Sequence, residues 1–209
     1  GMDEEVLGWS REKSGYLFVV AAVGIGVGSY LAGRVSGRHI EFGIIPLGAL
    51  GLALTGIGLA FSAGNLSAII ILVFLLGVSA GLYIVPVHAF IQLRAPDAMR
   101  GQVVAASGFL GWVGILLSAV LFQICNVMLG ISPANMFLIM GLVTLLLAIT
   151  AILFLPDFFL RFMIISFVRL VYRIRAVGLE HIPIQGGALL VSNHVSWVDA
   201  FLLGATQQR

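Results

Sequence analysis

The chain has 209 residues, of which 60% are hydrophobic and only 10% are charged, and its formal net charge is +2. The mean hydropathy of +1.13 excludes a soluble globular domain, because a water-facing surface needs far more charged side chains. A single cysteine, Cys125, excludes a disulfide framework and a cysteine metal site. The basic residues are scattered between apolar runs and do not form a nucleic-acid-binding surface.

Five apolar stretches predict helices that cross a membrane. A bilayer core of about 30 Å requires roughly 20 apolar residues in a helix. No Asp, Glu, Lys or Arg lies within these stretches, so the predicted fold is an all-α polytopic membrane bundle. The stretches are Tyr16–Gly33, Phe42–Ser62, Leu66–Leu93, Gln102–Leu129 and Pro133–Leu155.

The connections between the stretches alternate in charge. Arginines occupy the first and third connections and follow the fifth stretch, whereas the connections at 63–65 and 130–132 carry no charge. The positive-inside rule therefore predicts that the arginine-bearing connections and the C-terminal tail are cytoplasmic and that the N-terminus is external. The arginines are Arg34, Arg38, Arg94, Arg100, Arg161, Arg169, Arg173 and Arg175.

Glycines recur inside the first and third stretches, in Gly24-Ile-Gly26-Val-Gly28 and Gly77-Val-Ser-Ala-Gly81. A nucleotide-binding loop would need a preceding strand and an acidic partner further on, and the sequence has neither. The spacing instead predicts close packing between membrane helices through small residues.

Few polar residues lie inside the stretches. His88, Gln123 and Asn126 are candidates for lining a substrate path, because polar groups in a membrane usually face the protein interior. For His88 an alternative stays open, in which it lies at the cytoplasmic end of its helix and simply reaches water. Pro86 predicts a kink just before His88.

The first arginine connection resembles the cytoplasmic loop motif of the major facilitator superfamily. Gly28, Arg34, Gly37 and Arg38 match that motif, whereas Gly33 replaces an acidic residue that is common there. The resemblance implies a gating loop, in which arginines paired with helix carbonyls or acids hold one conformation of the cytoplasmic gate. A loop that only sets topology would explain the charges but not their spacing.

A second connection supports the same family. The sequence around Pro96 and Arg100-Gly101 is similar to the loop before the penultimate helix of that superfamily. The five stretches thus resemble helices eight to twelve of a twelve-helix transporter built from repeats. On this basis, 1–156 is predicted to be part of a transporter domain.

The remaining residues, 157–209, differ in composition. Asp157–Arg173 alternates apolar residues with arginines, which predicts an interfacial helix on the inner leaflet. A short strand is predicted at Ala188–Ser192, directly before Asn193-His194-Val-Ser196-Trp-Val-Asp199.

This strand and His-x4-Asp motif resemble the first block of the glycerolipid acyltransferases, the lysophosphatidic acid acyltransferase family. The resemblance implies a truncated α/β domain in which His194 is the general base and Asp199 orients it. Asn193 and Ser196 are predicted to support the motif, with one or the other as the helix cap. The later blocks of that family are missing, so we expect no acyl transfer from this chain alone.

Together the two resemblances imply a fused bacterial protein of the inner membrane that transports lysophospholipid and re-acylates it. Its partners would be membrane lipids, the lysophospholipid substrate and acyl carrier protein, and its acyl donor would be acyl carrier protein thioester or acyl-CoA. No metal and no other cofactor is expected. Two alternatives stay open: an acyltransferase that the helices only anchor, and a facilitator that exports another amphiphile.

Overall fold

The structure is a computed structural model that describes residues 11–36, 41–154, 156–172, 177–178, 189, 191–193, 196–199 and 202–203. Helices account for almost all of the ordered backbone in these ranges. They are α1 (Arg11–Ser36), α2 (Ile44–Ala60), α3 (Leu66–Arg94), α4 (Arg100–Gln123), α5 (Pro133–Phe154) and α6 (Pro156–Val171). A 3₁₀ turn, Asp97–Met99, precedes α4, and a π-helical turn, Ile124–Met128, extends it.

All five predicted stretches are helical, and four are long and apolar enough to cross a membrane: Gly15–Ser36, Leu66–Arg94, Asp97–Met128 and Pro133–Phe154. The second helix is shorter than the predicted stretch Phe42–Ser62, because α2 has only 17 residues, which corresponds to about 25 Å. It ends at Ala60 because Ser62 turns back to bond the Leu59 carbonyl, at 2.9 Å, and Gly64 adopts a positive φ of 83°.

Helix α3 lies between α1 and α2, and α2 lies between α3 and α5. The crossings are formed by small residues, since Ala32, Ala53 and Ala148 are buried while most large apolar side chains are exposed. This distribution is typical of helices in lipid, where small residues allow close backbone approach and large ones face the acyl chains. Helix α4 buries none of its side chains and lies at the edge of the bundle.

Hydroxyl groups inside the helices bond to their own backbone. Thr55 Oγ1 donates to the Gly51 carbonyl at 2.7 Å, and Ser79 Oγ donates to the Leu75 carbonyl at 2.8 Å. These local bonds satisfy the hydroxyls in an environment without water, so they need no partner on another helix.

The tail departs from the predicted α/β domain. The residues described between 177 and 203 include no strand, and Leu189 and Val191 are 90% and 87% exposed. A strand needs a neighbouring strand to satisfy its backbone, and the described part of this tail provides none. The residues described near the motif include a short helical turn, and Leu202 packs against Ile165 and Val168 of α6.

Candidate functional site

The first feature of functional interest is the contact between α1 and α3. A Cβ on Gly28 would collide with the Val78 carbonyl, and one on Gly24 would lie 3.1 Å from the Gly77 Cα. On the facing helix, a Cβ on Gly81 would lie 2.6 Å from the Ile25 carbonyl oxygen. The two backbones therefore touch directly, and the predicted packing through small residues is confirmed.

These contacts correct the role of Gly28. It was predicted to belong to the gating loop, but α1 continues to Ser36, so Gly28 lies about two turns before the helix ends. Its lack of a side chain serves the helix crossing and not a turn.

The arginine-bearing connections lie at one end of the bundle, because α1 and α3 end there and α2 and α4 begin there. We call it the arginine end: Tyr30, Arg34, Phe42, Phe90, Arg94, Asp97 and Arg100. Gly37 and Arg38, the other predicted gating residues, lie outside the described residues.

Two of these arginines contact an aromatic residue one turn earlier on their own helix. Arg34 Nη1 donates to the Tyr30 hydroxyl at 3.1 Å. The Arg94 guanidinium carbon lies 5.6 Å from the centre of the Phe90 ring, and that ring meets Phe42 edge to face at 5.3 Å. Cation–π contact and aromatic pairing thus join the end of α3 to the chain entering α2.

The third arginine belongs to an ion pair. Arg100 contacts the Asp97 carboxylate across the 3₁₀ turn that leads into α4. Both side chains are exposed, so the pair contributes little stability, but it fixes the start of α4.

The structure places the candidate residues for a substrate path at opposite ends of the bundle. Helices α2 and α3 are antiparallel, with Gly51 beside Ser79, Gly48 beside Tyr83 and Phe42 beside Phe90. The same register places His88 level with the first residues of α2, at the arginine end, and its side chain is exposed. This position agrees with the alternative in which His88 reaches water.

Gln123 and Asn126 lie at the opposite end, where α4 finishes. Asn126 Nδ2 donates to the Ile131 carbonyl at 3.0 Å and so closes the turn between α4 and α5. About 36 Å of helix separates this end from the start of α4, so these two residues and His88 do not form one cluster. Their part in a substrate path stays a prediction.

The structure describes part of the His-x4-Asp motif in the tail. The Asp199 carboxylate Oδ2 accepts the Ser196 backbone N–H at 2.8 Å, and the Asp199 N–H donates to the Ser196 carbonyl at 3.0 Å. Ser196 Oγ also accepts the Val198 N–H, at 3.5 Å. The Asp199 carboxylate thus reaches back to the N–H at the start of the turn, as in one half of a capping box with Ser196 as N-cap, and Asn193 lies ahead of the helical turn.

His194 lies outside the described residues, so the contact between His194 and Asp199 stays a prediction. The aromatic partners Tyr30 and Phe90 were not predicted from the sequence. Their spacing of four residues from Arg34 and Arg94 is the signal that could have found them, because residues four apart share a helix face.

Taken together, the apolar helices with exposed large side chains define a multi-pass membrane protein. The sequence profile of the Major Facilitator Superfamily matches residues 3–160, well over half of the chain. The chain therefore belongs to the major facilitator superfamily, a family of membrane transporters. No curated protein and no solved structure matches the chain.

Proposed function

We propose that the protein moves lysophospholipid inward across the bacterial inner membrane and that a fused acyltransferase domain restores its second acyl chain. Membership of the major facilitator superfamily supports transport. The observation that carries the lipid assignment is the Asn193-His194-Val-Ser196-Trp-Val-Asp199 motif directly after the transporter helices. A base and an acid placed this way suit acyl transfer to a glycerol hydroxyl.

In the proposed reaction His194 takes the proton from the glycerol hydroxyl of the lysophospholipid. The hydroxyl oxygen attacks the thioester carbonyl of the acyl donor, the C–S bond breaks, and the thiol leaves with the proton that His194 returns. Asp199 orients the imidazole and stabilises its charged form. A carboxylate accepts several hydrogen bonds, so a bond to the Ser196 N–H and a bond to His194 are compatible.

On the transport side, Arg34 and Arg38 are the proposed gating residues. Arg34 bonds Tyr30 on its own helix in this conformation, which leaves further guanidinium N–H groups to bind other partners as the gate changes. With the tail cytoplasmic, His194 meets the substrate on the side where an inward transporter releases it.

The test separates the two steps in the protein expressed at its native length. Labelled lysophosphatidylethanolamine is added to the outside of vesicles, and two quantities are measured: the label that albumin no longer extracts, and its conversion to diacyl lipid with an added acyl donor. Arg34→Ala with Arg38→Ala is expected to abolish inward movement. His194→Ala is expected to abolish conversion and leave movement intact.

Two control variants match these changes. Arg11→Ala removes an arginine at the other end of α1, and His181→Ala removes a neighbouring histidine; both should behave as the unchanged protein. Unaltered movement in the Arg34/Arg38 variant would contradict the gating role. Conversion without accelerated movement would indicate an anchored acyltransferase, and movement of a different amphiphile alone would indicate another facilitator.

A further inference from the structure

Helix α6 has two apolar faces with different surroundings. On the first, which we call the inner face, Phe162, Ile165 and Val168 are buried. Leu202 from the tail packs against Ile165 and Val168, so this face holds the helical turn that follows the acyltransferase motif. The inner face is therefore occupied within the protein.

The second, outer face consists of Leu160, Ile164, Phe167 and Val171. These residues are spaced four, three and four apart, which places them within about 60° of one another around the helix. Leu160, Phe167 and Val171 are 56%, 66% and 56% exposed. A continuous apolar stripe of this length is costly to leave in water.

The position of α6 in the chain identifies what covers the outer face. Helix α5 is long and apolar enough to cross the membrane, and one residue separates its last residue, Phe154, from the start of α6. Helix α6 therefore begins where the chain leaves the bilayer. The stretch 156–175 contains four arginines and a single acid, Asp157, which gives it a charge complementary to anionic headgroups.

The outer face is not interrupted by the arginines of α6. Counted around the helix, positions 161 and 169 lie about 90° and 170° from the centre of the outer face, within the sector of the inner face. A helix with one continuous apolar face is suited to lying in the plane of a membrane interface.

We infer that the outer face of α6 binds the anionic inner-leaflet surface while its inner face holds the tail. Helix α6 is then an adapter that keeps the Ser196–Asp199 turn close to lipid. A second copy of the chain is a poorer occupant, because four side chains expose far less than the roughly 800 Å² per partner of a stable protein interface. The contact between α6 and lipid does not depend on which substrate is transported. Only the benefit of this contact for re-acylation rests on the proposed function.

The test compares two adjacent positions in the intact protein. In a Cys125→Ala background, Phe167→Cys and Ser166→Cys are each labelled with the fluorophore NBD and reconstituted into vesicles of phosphatidylethanolamine and phosphatidylglycerol. Position 166 lies about 130° from the centre of the outer face. Quenching is measured with brominated phospholipid and, separately, with aqueous iodide.

We expect at least about threefold stronger bromolipid quenching at 167 than at 166, and the reverse for iodide, since an interfacial helix buries its apolar face about 5–10 Å. Leu160→Cys and Val171→Cys are expected to match 167, because a helix in the membrane plane holds both ends at one depth. If the label at 167 disturbs folding, positions 160 and 171 are compared with position 166 instead. Replacing phosphatidylglycerol with phosphatidylcholine should weaken the bromolipid quenching.

Equal iodide quenching at 166 and 167 would overturn the inference, because the outer face would then lie in water. A label at 167 that is shielded from both quenchers, and that changes with the protein-to-lipid ratio, would overturn it in favour of a second copy. Bromolipid quenching that is equal with phosphatidylglycerol and with phosphatidylcholine would overturn the part of the inference that concerns anionic headgroups. None of these outcomes depends on transport or acyl transfer, so they leave the proposed function to its own test.

Discussion

Gly26 and Gly28 are two residues apart in α1 and have opposite surroundings. A Cβ at Gly26 would meet nothing within 4 Å, whereas one at Gly28 would collide with the Val78 carbonyl. The obstacle is backbone, which cannot rotate away as a flexible side chain can. Only the second glycine is required by the α1–α3 contact.

We predict that Gly28→Ala destabilises the bundle by about 1–3 kcal/mol, the usual cost of overpacking a tight contact. The helices would have to separate to admit the methyl group. The measurement is the midpoint of thermal unfolding in detergent. Gly26→Ala is the matched control, and an equal loss in both variants would show that the α1–α3 contact was not the cause.

The partners of Arg34 and Arg94 show which side-chain contacts can be predicted from local sequence. Tyr30 and Phe90 precede these arginines by four residues, so the contacts follow from helix geometry once the helices are known. The edge-to-face contact of Phe42 with Phe90 does not, because it joins residues 48 positions apart. That contact depends on the antiparallel register of α2 and α3, which no local pattern specifies.

At the scale of single elements, α3 begins with a defined cap. Asn65 Oδ1 accepts the Ala68 N–H at 3.1 Å, after the positive φ of Gly64 has turned the chain. This satisfies one of the unpaired N–H groups at the start of the helix.

We expect Asn65→Ala to cost about 1 kcal/mol of stability through loss of this cap, and Asn65→Ser to retain most of it. Amide hydrogen exchange over 66–69 should accelerate in the alanine variant and remain slow in the serine variant. Unchanged exchange in the alanine variant would mean that the cap does not hold the first turn.

Helix boundaries were predictable where the chain supplies strong signals. Pro133 begins α5 as predicted, and Asn65 precedes α3. The length of α2 was not predictable, because Phe42 and Phe61 are apolar and continue the hydropathy pattern beyond the helix. At its described residues, 189, 191 and 192, the predicted strand is not formed, for a related reason. Alternation and apolarity favour a strand, but a strand also needs a partner from elsewhere in the chain.

At the scale of the whole molecule, the charge pattern predicts a single orientation. Cysteines placed singly at Gly64 and Ser132, in a Cys125→Ala background, should react with a membrane-impermeant maleimide added outside intact cells. A cysteine at Ala98, in the arginine-bearing connection before α4, should react only after the membrane is opened. Labelling of position 98 from outside would reverse the orientation.

Family and multi-pass organisation followed from composition and from the motif around Arg34, because both are properties of local sequence. The order of packing, with α3 between α1 and α2, did not follow. Every stretch is rich in small residues, and Gly111 and Gly114 in α4 meet nothing within 4 Å although they resemble the glycines that pack in α1. Which small residues become contacts is decided by the arrangement of the whole bundle.

The unequal lengths of α2 and α3 have a consequence for the surrounding bilayer. Side by side, they span about 25 Å and about 43 Å, with 17 and 29 residues. Lipid next to α2 must thin, or polar groups must sink towards it, at a cost of a fraction of a kcal/mol per Å of hydrophobic mismatch. The longer α3 avoids this cost because its final turns extend to the arginine end. Lipid of shorter acyl chains therefore lowers the mismatch at α2, and acyl-chain length sets the strain on that side of the bundle only.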